Sequence, residues 1–299
     1  MKVMVTGAAG MLGSELCPEL KRRGHAVFAT DINEAVLKHK ESAVLNILDL
    51  EKMTGLVKKN RVDAIFHLAA ETNVDLCEKD HDHAYLYNTV GTENVALTCL
   101  KNDILMVYIS TGAVFSGEKK GFYTEFDEPG PVNVYGRTKL EGEKIIRRML
   151  EKYFIFRAGW MMGGREIDKK FVYKIIKLIE AGKMLKVVSD KFGSLTYTRD
   201  FAANIPPVVE TGRYGLYHMA NKGSCSRFDI AKTILKYMQK EDSVKLVAVD
   251  SSEFPLPAPR AKSEALRNYK LELLGNNSMP EWEDALERYL KDFFSKQLI

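Results

Sequence analysis

Val5-Thr6-Gly7-Ala8-Ala9-Gly10-Met11-Leu12-Gly13 is the stretch whose reading decides the fold. The apolar run Val3 to Val5 reads as a buried strand, and the segment from Met11 to Arg23 carries helical apolar spacing. Glycines between a strand and a helix let the chain turn tightly and bring the two elements close. They also open backbone N–H groups to an anion at the helix N-terminus. An ordinary strand-to-helix connection can look the same, so the neighbours matter. Asp31 follows the second apolar run, 18 residues after Gly13, where a carboxylate can accept hydrogen bonds from ribose hydroxyls. Gly7, Gly10, Met11, Leu12 and Gly13 are therefore candidate ligands of a dinucleotide pyrophosphate, with Asp31 on the ribose.

Outward from this turn the pattern repeats. Ala26 to Ala29, Ala64 to His67, Met106 to Ile109 and Tyr153 to Arg157 read as buried strands, separated by helical stretches at Glu51 to Lys59, Tyr85 to Leu100 and Tyr135 to Glu151. Such alternation predicts an α/β fold, a Rossmann-type doubly wound parallel sheet, because parallel strands need crossover helices. Past about Trp160 the rhythm loosens. A helix is expected from Lys169 to Glu180, a buried strand around Tyr214 to Met219, proline-bearing segments near Glu253 to Pro259, and a helix over Trp282 to Phe294. The expected division is a cofactor-binding domain over 1–158 and, over 159–299, mainly a smaller substrate-binding lobe with some segments returning to the sheet.

Asp31 also bears on cofactor choice. A carboxylate beside a 2'-phosphate sets two anions against each other, and Ile32-Asn33-Glu34 offers no cation, so NAD(H) is expected to be preferred, with NADP(H) the second choice. A helix cap is the plainer reading of the same residue. Asp49 and Leu50 are candidate contacts to the adenine.

The chain's 299 residues are 45% hydrophobic and 28% charged, an ordinary globular balance. No apolar run is long enough to span a bilayer, and no signal peptide is read at the N-terminus. The 44 basic and 40 acidic residues are scattered without a basic, aromatic-laced stripe, which argues against nucleic acid as a partner. Cys17, Cys77, Cys99 and Cys225 form no Cys-x-x-Cys pair, which suits a cytoplasmic protein. Asp80-His81-Asp82-His83 is discounted as a metal cluster, because helical neighbours at i and i+2 face different ways.

The chemistry is carried by Thr111, at the end of an apolar strand, and by Tyr135 and Lys139, four apart on one helix face. Ketone reduction needs a proton for the developing alkoxide. A tyrosine with a neighbouring ammonium can supply it, the lysine can also hold the nicotinamide ribose, and the threonine can hydrogen-bond the carbonyl oxygen.

These motifs together resemble the extended short-chain dehydrogenase/reductases, and within them the dTDP-4-dehydrorhamnose reductases. The likeness covers nearly the whole chain. It rests on the glycine turn, Ala69-Ala70-Glu71-Thr72-Asn73-Val74-Asp75, Ile109-Ser110-Thr111 with Val114-Phe115, Asn133-Val134-Tyr135-Gly136 with Lys139, Phe156-Arg157 with Trp160, and Phe192-Gly193. The resemblance implies a catalytic set of Thr111, Tyr135 and Lys139 and cofactor contacts from Ala69, Ala70, Thr72 and Val74. It implies a nucleotide-sugar substrate bound by Thr111 and Trp160, the indole offering a ring face and an N–H, and is compatible with a homodimer.

The departures are equally informative. After the catalytic threonine such reductases usually carry Asp-Tyr, where this chain has Gly112-Ala113; around the tryptophan it has Ala158-Gly159 and Met162 in place of polar residues. A sugar pocket stripped of polar groups is expected, with weak activity on dTDP-4-dehydrorhamnose itself. Some relatives share a metal between subunits through glutamates; Glu15 matches one, but Arg199 stands in place of another, so no metal is expected. The reduction of a 4-keto nucleotide sugar leads the readings, ahead of an epimerase on the same fold and a non-catalytic NAD(P)-binding regulatory subunit.

Overall fold

The computed structural model describes residues 1–38, 40–164, 167–168 and 170–294. Seven strands form one sheet: β1 (Lys2–Thr6), β2 (Ala26–Asp31), β3 (Ser42–Val44), β4 (Ala64–His67), β5 (Leu105–Thr111), β6 (Tyr153–Ala158) and β7 (Gly215–His218). Their spatial order is β3-β2-β1-β4-β5-β6-β7, and every neighbouring pair is parallel. The order reverses between β1 and β4, which places the ligand crevice beyond their C-terminal ends, at the glycine turn.

Alternate residues of the strands feed two cores. Val3 and Val5 of β1, with Phe154 and Phe156 of β6, pack under α1 (Gly13–Arg22). Met4, Ile65, Met106 and Ile155 face the other way, under α2 (Leu50–Asn60), α3 (Gly91–Asn102) and α4 (Val134–Met149). Apolar residues on both faces explain why these strands read as continuous apolar runs.

One expected helix is different. The stretch from Tyr85 is interrupted by a π-helical turn, Leu86–Val90, before α3 begins. The buried Asn88 side chain in that turn accepts from the Glu71 amide at 2.8 Å and donates to Thr138 Oγ1 at 3.1 Å. Helical periodicity does not signal such a widened turn, which tertiary hydrogen bonds hold open.

The helix α5 (Phe171–Glu180) starts the small lobe; the expected start at Lys169 lies outside the described residues. The helix α6 (Thr198–Glu210) returns to the sheet, where Phe201, Ala202 and Ile205 share the core of α1, and leads into β7. The lobe's own core gathers Ile175 and Ile176 of α5, Ile230 and Ile234 of α7 (Arg227–Tyr237), and Leu286 and Leu290 of α8 (Trp282–Phe294). Two of its short pairings line the crevice: Trp160–Met162 with Leu195–Tyr197, and Phe192–Gly193 with Ser263–Glu264. Among the described residues, no helix is long and apolar enough to cross a membrane.

Candidate active site

Gly7 takes a positive φ of 70°. A side chain there would start 2.7 Å from the Ala69 amide nitrogen, so the turn touches the post-β4 loop at Ala69, with Ala70 the next residue along that loop. Gly10 donates to Gly7 O at 3.1 Å, and α1 begins at Gly13; Ser14 N is taken by Gly10 O at 3.0 Å and Glu15 N and Leu16 N by Leu12 O at 3.1 and 2.9 Å, so the amides available to a ligand lie ahead of them in the turn. One Asp31 oxygen accepts from the Ala9 amide at 3.0 Å and the other from Asn33 N at 2.9 Å. The carboxylate therefore joins the turn to the end of β2, beyond the role of a simple helix cap.

The other cofactor candidates are spread around this crevice. Asp49 is the N-cap of α2 and accepts from Lys52 N at 2.9 Å, with Leu50 opening the helix. Thr72 is exposed in the post-β4 loop, and Val74 begins a short helix, Val74–Lys79, capped by Asn73.

Thr111 ends β5 and its Oγ1 accepts from Ala113 N at 3.1 Å. The helix α4 is capped by Asn133, whose Oδ1 accepts from Gly136 N at 2.9 Å. Any side chain at Gly136 would strike the Ala113 carbonyl oxygen, so glycine lets the helix start against the turn that follows Thr111. Tyr135 is thereby brought to Thr111, whose side chain hydrogen-bonds the phenol. Burial is the main force on Tyr135: it pushes the phenol above its ordinary value, aided by the charges of Cys77, Glu264 and Glu71 and opposed by the Thr111 hydrogen bond. Lys139 is buried, with Nζ 4.1 Å from the Tyr108 ring centre. Burial pulls its ammonium down to about 7, against the charge of Glu143. Burial thus acts on both groups, favouring the neutral phenol and lowering the ammonium.

Behind this pair lies a network that the sequence reading did not single out. Glu143, one turn past Lys139 on the same face, makes a two-pronged ion pair with Arg157 at 2.9 and 2.7 Å and accepts from Ser110 Oγ at 2.5 Å. Glu143 and Arg157 are both almost fully buried. The ion pair ties the ends of β5 and β6 to α4, directly behind Thr111 and Lys139. The i+4 spacing of Glu143 from Lys139 was the available signal.

The substrate side departs most from expectation. The Trp160 N–H, expected to be open to a sugar, donates to Glu264 Oε2 at 2.8 Å. The Arg227 guanidinium lies 3.9 Å from the indole centre, and Gly193 packs so closely on the ring that any side chain would collide with it. The expectation of a pocket stripped of polar groups is corrected too. Gly112 and Gly159 have close neighbours, Glu264 O beside the first and Ser194 O against the second, while Glu264 brings a carboxylate to Trp160 from the lobe's far end. Sequence could not show this, because residues 112, 160, 227 and 264 meet only through the fold.

His83 Nε2 lies 3.2 Å from Glu71 Oε2, and Asp80 caps its short helix. Arg199 pairs with Asp292 at 2.6 Å beside a cavity of about 410 Å³ that Glu15 also lines. Among the described residues no group of three His, Cys, Asp or Glu side chains could hold a metal ion.

The parallel sheet with its reversal at the glycine turn is that of the extended short-chain dehydrogenase/reductases, NAD(P)-dependent oxidoreductases. Residues 1–295 match the model of the RmlD substrate binding domain family, and the chain belongs to that family. It is 34% identical to the spore coat polysaccharide biosynthesis protein SpsK of Bacillus subtilis, over 97% of each chain. The solved dTDP-4-dehydrorhamnose reductase of Clostridium acetobutylicum superposes with a TM-score of 0.90 at 36% identity, covering 99% of this chain and 100% of that one. The Bacillus anthracis dTDP-4-dehydrorhamnose reductase, solved with NADP, gives 0.89 at 36% identity, covering 98% and 100%.

Proposed function

We propose that the protein reduces the 4-keto group of a nucleotide sugar, with dTDP-4-dehydrorhamnose as the first substrate to test. What supports this reading is Tyr135 beside Thr111 at the end of β5, with Lys139 one turn along the same helix, in a chain 36% identical to solved proteins that carry that reductase's name.

The crevice fits a dinucleotide: the turn at Gly7 leaves no room for a side chain, and the N-terminus of α1 and the Asp31 carboxylate suit the pyrophosphate and ribose. Bound NAD(P)H supplies the hydride. Thr111 orients the carbonyl oxygen, and Tyr135 hands its phenolic proton to that oxygen as negative charge grows on it. A phenol held above its ordinary pKa is fully protonated near neutrality, and it remains a far stronger acid than the alcohol being formed. Lys139, backed by Glu143, steadies the charge left on the phenol and binds the nicotinamide ribose. Met11, Leu12 and Gly13 offer amides to the pyrophosphate, Asp49 and Leu50 the adenine pocket, and Ala69, Ala70, Thr72 and Val74 the opposite wall. Trp160 frames the sugar pocket from the lobe.

NAD(H) is the preferred cofactor in this reading, because the Asp31 carboxylate, held by Ala9 and Asn33 at the end of β2, would repel a 2'-phosphate brought near it. NADP(H) is the weaker alternative. Incubating the protein with dTDP-4-dehydrorhamnose and NADH tests the function: one NADH should be oxidised per sugar consumed. Sugar conversion without net NADH loss would point to epimerisation. No conversion across a panel of 4-keto nucleotide sugars would point to a non-catalytic role.

A further inference from the structure

We propose that Glu264 is a specificity-determining residue of the substrate pocket, its carboxylate accepting a hydrogen bond from a sugar hydroxyl next to the carbonyl carbon. The inference rests on the nucleotide-sugar reductase reading above and names the group that reads the sugar.

Three observations converge on this residue. The Ser263–Glu264 strand is laid across the site by pairing with Phe192–Gly193, and Glu264 O comes within 3.3 Å of where a side chain at Gly112 would begin. The segment thus occupies the flank of Thr111 that Gly112 and Ala113 leave without polar side chains. The Glu264 carboxylate is fixed by the Trp160 N–H at 2.8 Å, and it is near enough for its charge to raise the Tyr135 phenol.

The Glu264 carboxylate is half-buried, and one of its oxygens is taken by the indole. Among the described residues, Trp160 is the one side chain recorded as donating to it. The Arg227 guanidinium sits over the indole, and Arg260 donates to Asp75 and to the Ala258 carbonyl. A sugar hydroxyl entering the crevice is the neutral donor that would pair with the other oxygen. A pocket built to accept from a hydroxyl rejects a substrate lacking one, because the acceptor is then stranded.

Steady-state kinetics of the full chain would be compared for dTDP-4-dehydrorhamnose and its 3-deoxy analogue, in the unmodified protein and in Glu264→Ala and Glu264→Gln. The unmodified protein should favour the hydroxylated sugar by about 10- to 100-fold in kcat/KM. Glu264→Ala should erase most of that preference by losing activity on the hydroxylated sugar alone, and Glu264→Gln, which keeps an acceptor, should retain part of it. NADH affinity, measured by calorimetry, should be unchanged in both variants and report an intact fold. Equal losses on the two sugars would show that Glu264 only props Trp160, and full retention of the preference would show that it does not read the sugar; either result overturns the proposal. If the unmodified protein turns over neither sugar, the reductase reading falls, and this proposal falls with it.

Discussion

The two walls of the crevice are built in opposite ways. On the cofactor wall, nine consecutive residues from Val5 to Gly13 make the turn and the start of α1, and Asp31 joins it after a single crossover. On the substrate wall, Trp160, Gly193, Arg227 and Glu264 come from four separate segments and acquire meaning only when packed together. A local motif fixes backbone geometry and therefore chemistry common to many proteins. A site gathered from distant segments can change its polar groups while the fold stands.

The largest expected effect lies where the walls meet. Tyr135→Phe removes the proposed proton donor and leaves ring packing intact, so turnover should fall by about 100- to 10,000-fold. Calorimetric NADH affinity should stay within about twofold, since a Phe ring keeps the packing and Lys139, the proposed ribose contact, is untouched. Near-normal turnover would break the assignment.

A pH series sharpens the comparison from the cofactor side. Burial lowers the Lys139 ammonium from 10.5 to about 7, so NADH affinity should weaken as pH rises through that region, and Lys139→Arg should move the loss to much higher pH. The linked stability runs the other way. Between about 7 and 10.5 the unfolded chain keeps a proton on this lysine that the folded chain has lost, so this group's contribution to stability increases with pH. A flat affinity from pH 6 to 9 would show that Lys139 does not titrate there.

The smallest expected effect is at Asp31. In the unmodified protein NADH should bind more tightly than NADPH, and Asp31→Ala should narrow the gap by about tenfold, the equivalent of roughly 1.4 kcal/mol of relieved repulsion. Equal affinities in the unmodified protein would remove electrostatic exclusion as the basis of cofactor choice.

What was legible in the sequence follows the same division. The buried strands β1, β2, β4, β5 and β6 announced themselves because both faces of the sheet are covered, whereas β3, a short half-buried edge strand, did not; Trp282–Phe294 was readable because one face of α8 packs on α5 and α7. The π turn at Leu86–Val90 was not, since what holds it is the hydrogen bonding of Asn88 to Glu71 and Thr138, remote in sequence. Glu143 looked like one charge among many on a helix until Arg157 and Ser110 were found against it. Gly112 and Gly159 read as lost polar groups, whereas their backbones lie beside the carbonyls of Glu264 and Ser194. Identity at one position says little about polarity when the replacement arrives from residue 264.

The most direct test of the central claim, that both walls serve one net reduction, is a turnover of dTDP-4-dehydrorhamnose with NADH deuterated at the transferable position. The account predicts one deuterium on the former carbonyl carbon of the product for each NADH oxidised. A sugar product that carries no deuterium, formed while the NADH concentration stays constant, would contradict it.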